Sequence, residues 1–233
     1  VAFCKRIGMR RIKQGQRYIA RTMLLLALLY PSYAQSHPHV WVDAALIIHR
    51  NEAGEISALE PVWIFDDLYT ASLLPDLDQD QSGKVEKPEL LTFAKEAVGN
   101  LQEWDYFLKV KREDASALQY KKEIITDGTV LNDRLLLRFR LELEDPIKAG
   151  TVVQVQMYDP SYFIAIDFID DKTVSYLPSS LPSSLNGCTH NVTHPDDFAE
   201  NTTSLSDLVF SDEEVAENPD LGSIFAKTVE VRC

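Results

Sequence analysis

Hydrophobic and polar residues alternate with a period of two over much of residues 39–177. HVWVDAALIIHR, residues 39–50, is the clearest case and predicts a strand, with a turn over residues 51–54. EISALEPVWIF, residues 55–65, predicts a second strand, and Pro61 points to an edge or a bulge because proline has no N–H for the ladder. DYFLKVKR (105–112), RLLLRFRLELE (134–144), GTVVQVQMYDP (150–160), SYFIAIDFIDD (161–171) and KTVSYL (172–177) read the same way, and FAKTVEVRC (225–233) predicts a last strand. The period changes between residues 66 and 103: Leu90, Leu91, Phe93, Ala94, Ala97, Val98 and Leu101 recur at helical spacing, while the segment before them is interrupted by Pro75. The expected fold is mainly β within the α+β class, an antiparallel β-sandwich with a helix–loop–helix inserted between its second and third strands. The sandwich domain is placed at residues 35–178, with the insert at about 66–103. Residues 179–233 follow as a Ser-rich loop, an acidic and weakly periodic segment, and the final strand. Trp41, Trp63 and Trp104 are expected in the core or on a sheet face.

The connection inside the insert, DQDQSGKVEKPE at residues 78–89, has the spacing of an EF-hand calcium loop. Calcium takes six to eight oxygens, so donors must alternate along a tight turn. Asp78, Asp80 and Ser82 stand at loop positions 1, 3 and 5, and Lys84 at position 7 donates only its backbone carbonyl. Glu86 stands at position 9, and Glu89 at position 12 supplies a bidentate carboxylate. Gly83 is where the loop needs a residue without a side chain, and Val85 is expected to face the core. Ser82 departs from the usual Asp or Asn but keeps an oxygen.

Composition changes the picture at the N-terminus. Residues 1–34 carry seven basic residues and no acidic one, then the apolar run MLLLALLY and small residues Ser32 and Ala34, the pattern of a signal peptide. The expected location is therefore periplasmic or secreted, with no stable membrane insertion after cleavage, since the apolar run is too short to span a bilayer. The chain has a net charge of −13, and removal of residues 1–34 leaves −20. Such a protein repels nucleic acid and anionic membranes and attracts cations.

Cys4 lies in the signal segment, and the pair that remains, Cys188 and Cys233, predicts a disulfide in an oxidising compartment, the alternative being two thiols for metal. Four of the five histidines form two close pairs, His37 with His39 and His190 with His194. Imidazole suits Ni2+, Co2+, Cu2+ and Zn2+, so these four are candidate transition-metal ligands. If cleavage follows Ala34, the chain begins Gln35-Ser36-His37, and its amine, two amides and third-position histidine can bind copper or nickel in a square plane. His49 stands alone at a strand end and is read as structural. No nucleophile–base arrangement stands out, so no catalytic residue is assigned and no enzyme is expected.

HPHVWVDA, VWIFDDLYTASLL, DLDQDQSGKVEKPEL, NLQEWDYFLKV and VQMYDPSYFIAIDF occur in this order, followed by Cys188. Together they resemble the uncharacterised bacterial periplasmic family labelled domain of unknown function one thousand and seven, over roughly residues 37–190. HPHVW and YDPSYF are the specific parts. The resemblance implies a periplasmic component in divalent-metal traffic, because genes of the family tend to lie beside nickel/cobalt-type transporters. The expectation is a non-enzymatic calcium-binding protein that presents a transition metal to an inner-membrane transporter. The alternative is a calcium-stabilised structural or protein-interaction module without a transition-metal role, and a metal-dependent enzyme has only the ligands in its favour.

Overall fold

In a computed structural model, residues 36–113, 118–169, 173–178, 187–195 and 210–233 are described. Residues 1–35, on which the expected signal peptide falls, most of the Ser-rich loop and part of the acidic segment lie outside them.

The period-two pattern becomes two main sheets. Strand β2 (Val40–Arg50) follows a two-residue strand β1 (Ser36–His37), and its even-numbered residues are buried in strict alternation. Strands β3 (Ile56–Phe65), β5 (Tyr120–Leu131) and β6 (Arg134–Ile147) join it in the order β5-β6-β3-β2, all antiparallel. Strands β8 (Ile164–Phe168) and β9 (Val174–Leu177) then pair with the first and second halves of β2, both in parallel. The smaller sheet has the order β10-β12-β7-β4, formed by Thr189–Thr193, Thr228–Arg232, Val152–Met157 and Leu108–Arg112. Strand β11 (Phe210–Ser211) pairs with β1.

The fold is thus mixed α+β with two main sheets, and the antiparallel sandwich expected from the sequence is corrected in two respects. The larger sheet is mixed, because β8 returns to β2 only after a long excursion through the smaller sheet, which permits a parallel approach. Nor do the sheets close into a sandwich or barrel, although residues from both, such as Leu46, Trp63, Phe139, Val155 and Val231, share one hydrophobic core.

Pro61 does not mark an edge. It sits in β3 between β2 and β6; the β6 register runs through Leu59↔Leu141 and resumes at Val62↔Arg138, and the irregularity falls between Ile56 and Ala58. Strand β5 had no strong sequence signal, because it lies at the edge of the larger sheet with most of its side chains partly or fully exposed. His190 stands in β10 rather than in a loop. Trp63 is core at 3% exposure, Trp41 is partly buried in a second small cluster, and Trp104 is 53% exposed, a correction to its expected burial. Trp104 falls in a 3-10 segment, Leu101–Phe107, whose backbone turns left-handed at Asp105, Tyr106 and Phe107 and directs Tyr106 and Phe107 inward instead.

Helix α1 (Asp67–Leu77) carries Pro75 inside it, so the proline does not stop the helix before the loop. Asp66 caps it by accepting from Tyr69 N at 2.7 Å. Helix α2 (Lys87–Asn100) starts with Pro88 in its first turn and buries Leu90, Ala94 and Val98. Near the C-terminus, α3 (Asp212–Glu217) and α4 (Leu221–Phe225) occupy part of the stretch read as weakly periodic. Leu221 and Phe225 pack with Tyr162 and Ala165, and Trp41 and Phe210 lie against them.

Candidate metal centre

Asp78, Asp80 and Glu89 each place one carboxylate oxygen within 4.8 Å of the others, the group of three or more metal-type ligands found among the described residues. The chain's own hydrogen bonds hold them there. Asp78 accepts from Ser82 N (2.9 Å) and Gly83 N (2.8 Å), and Asp80 accepts from Ser82 N (3.0 Å). Gly83 has φ +82°, a conformation that favours glycine. Glu89 reaches back from the first turn of α2 to accept from Gln79 N and Glu86 N, each at 2.9 Å. The Ser82 hydroxyl donates to Lys84 O at 2.9 Å and lies 3.3 Å from Glu86 Oε1. Val85 packs against the core.

The electrostatics fit a cation. Backbone and side-chain donation from Ser82 holds the Asp80 carboxyl low. Hydrogen bonding to Glu89, with burial and the Asp80 charge behind it, pushes the Glu86 carboxyl up. Carboxylates thus converge, and a hard divalent ion is the counter-charge that an all-oxygen donor set suits. Lys87, just outside the cluster, is turned away to Asp127 of β5 at 2.7 Å.

The histidines divide. The rings of His37 and His39 meet edge to face with centroids 4.8 Å apart, and Phe163 lies against both, at 5.8 Å and 4.7 Å. His39 N donates to Phe163 O at 2.9 Å. The turn carrying Phe163 is built on Asp159, which is 5% exposed and accepts from Ser161 N, Ser161 Oγ and Ile164 N. His190 instead shares a 2.9 Å hydrogen bond between Nδ1 and the Tyr176 hydroxyl. His194 lies near Asp167, whose carboxyl is raised by burial and drawn back by Lys227 and His194. Among the described residues the four histidines do not form a ligand group of three or more.

Three segments far apart in the chain meet at the start of β2. Trp41 N donates to Asp66 Oδ2 at 2.9 Å and Asp66 N to Trp41 O at 2.9 Å, so HPHVW is tied to FDD, while Phe163 brings in YDPSYF. The sequence reading missed Phe163 and Asp159 as partners of the histidines; the Asp-Pro-Ser turn signal was their only local mark. Glu60 was also missed. It is 1% exposed, and its carboxylate meets His49 Nε2 at 2.5 Å, Thr126 Oγ1 at 2.7 Å and Arg138 Nε at 2.9 Å.

Cys188 and Cys233 form a disulfide. The ladder explains the choice, since Thr189 pairs with Arg232 and the next position along brings the cysteines together. No helix among the described residues is long and apolar enough to cross a membrane.

The sequence profile described as "Protein of unknown function (DUF1007)" matches residues 22–233. A Haemophilus influenzae protein named "Uncharacterized protein" is 24% identical over 214 residues, which cover 90% of this chain and 97% of that one. The extent of the profile match, nearly the whole chain, places this protein in the DUF1007 family.

Proposed function

We propose that the protein is an exported, non-enzymatic metal-binding component that holds calcium in the 78–89 loop and presents a divalent transition metal of the nickel/cobalt type to an inner-membrane transporter. The loop is read as an EF-hand calcium site, with carboxylates of Asp78, Asp80, Glu86 and Glu89, the Ser82 hydroxyl and the Lys84 carbonyl as its donors. Its task is to clamp α1 and α2 beside the larger sheet. The transition metal is assigned to the imidazoles of His37 and His39. Oxygen donors suit calcium and nitrogen donors suit nickel, cobalt, copper and zinc, so the two sites do not compete. The disulfide supports an oxidising compartment.

The observation that carries this reading is the His37–His39 pair, two imidazoles 4.8 Å apart against the Phe163 ring. A pair leaves coordination positions open, which suits an ion that is to be passed on rather than kept.

Titration of the secreted form with nickel, cobalt, copper and zinc tests it. At least one ion should bind more tightly than about millimolar, and His37→Ala with His39→Ala should remove that binding. Binding that survives the double substitution would sink the transition-metal role. Calcium-dependent stability would then leave the second reading, a calcium-stabilised interaction module.

A further inference from the structure

We propose that a recess on the face of the larger sheet, bounded by His49, Ser57, Lys121, Arg140 and Glu142, binds a small oxyanion, a carboxylate or a phosphate. The recess has a volume of roughly 320 Å3, room for a molecule of a few heavy atoms and its water. It is separate from the calcium loop and the His37–His39 pair, and the proposal does not depend on either.

Under-used cations carry the argument. Arg134, Arg138 and Arg140 point to one side of β6, where alternate residues share a face. The first two are well occupied. Arg134 pairs with Asp43 at 2.7 Å and donates to Phe65 O and Ile64 O, and Arg138 pairs with Glu60 at 2.9 Å. Arg140 is less so: among the described residues its ion pair, with Glu142, is loose at 3.6 Å, and its side chain lines the recess. A guanidinium holds five donors in a plane, and a loose pair leaves terminal donors for a ligand. Lys121, on the neighbouring edge strand, has no ion pair among the described residues.

Glu60 cannot fill the need. Its carboxylate already accepts from Thr126, His49 and Arg138. Nε2 of His49 is likewise committed to Glu60. Arginine and lysine thus line one recess, a pair of cationic donors that suits carboxylate or phosphate oxygens. In a chain of net charge −13, anions are repelled at long range, so an anion held here must be held by such local convergence.

The test is calorimetric titration of the full folded chain at low ionic strength with two probes, inorganic phosphate and malonate, which separate the two sources of oxyanion. Saturable one-to-one binding of at least one probe, tighter than about millimolar, is expected. Arg140→Gln and Lys121→Gln should each weaken it about tenfold, the worth of one charge-assisted hydrogen bond. Glu142→Gln should tighten it. Lys109→Gln changes net charge equally at a site where Lys109 pairs with Asp105, and should leave affinity unchanged. Lys121 is exposed, so its variant decides the matter if Arg140→Gln does not fold. No saturable binding of either probe, or equal losses for Lys109→Gln and Lys121→Gln, would overturn the proposal.

Discussion

His49 Nε2 lies 2.5 Å from Glu60 Oε2 across the β2–β3 ladder. The same carboxylate receives Thr126 from β5 and Arg138 from β6, so four strands of the larger sheet meet at one buried charge. Burial by itself costs the ionised form; three hydrogen bonds and the Arg138 charge outweigh that cost.

Glu60 should govern the acid limb of stability. Burial raises its carboxyl, but the bonds from Thr126, His49 and Arg138 hold it below 4.5 overall. The folded-state pKa is lower than the unfolded one, so the stabilisation is complete above the ordinary glutamate range and is lost as pH falls through the folded value. Glu60→Ala should cost about 2–4 kcal/mol near neutrality, less than for a wholly buried pair because Arg138 can rehydrate in part. Glu60→Gln should flatten the fall in stability as pH drops from the ordinary glutamate range into more acidic solution. Urea denaturation across that range measures both, and parallel curves for Glu60→Gln and the parent would refute the assignment.

The disulfide closes a separation of 45 residues and anchors β12 to β10. Chain-entropy reasoning gives about 4 kcal/mol for a loop of that length. The paired substitution Cys188→Ser with Cys233→Ser should lower unfolding free energy by about that amount, read by denaturation without reductant. A loss below about 1 kcal/mol would show that the unfolded chain is not constrained by the bond.

Calcium should raise the thermal midpoint and a chelator should lower it again. At a hundredfold excess over Kd the gain is about 2.7 kcal/mol. Asp78→Asn and Glu89→Gln should each remove most of it, because both carboxylates belong to the converging group. Glu89→Gln also alters an acceptor for Gln79 N and Glu86 N, so its calcium-free stability should fall as well. Scanning calorimetry with calcium and with chelator separates the two effects.

Gly222 packs closely against the turn that carries Phe163. A Cβ on Gly222 would stand 2.0 Å from Asp159 O, a backbone atom, so in Gly222→Ala either α4 or the turn that carries Phe163 must shift. A cost of about 1–3 kcal/mol is expected, as for overpacking in a core. Displacing Phe163 should also loosen its contact with His39, seen as a change in the histidine ring resonances. Unchanged melting together with unchanged resonances would contradict this.

Local features were readable in one dimension. Strand β2 was evident because its buried and partly covered positions alternate over eleven residues. The 78–89 ligand spacing was evident because one short turn supplies the whole group. The disulfide could be inferred because only two cysteines follow the basic and apolar N-terminal stretch. Strand β5 escaped notice because, at an edge, burial imposes little pattern on it. Helix α1 was obscured by Pro75, which the helix tolerates near its C-terminal end.

Periodicity and ligand order, which depend on neighbours a few residues apart, were settled by the chain as written: the alternating strands, the second helix of the insert and the carboxylate loop. Partnership was settled only by folding. Register and crossover brought Phe163 to His39, Asp66 to Trp41, and Arg138 with Thr126 to Glu60. No local pattern encodes those meetings, because each depends on which strand lies beside which, and the parallel return of β8 onto β2 is decided by closure of the common core.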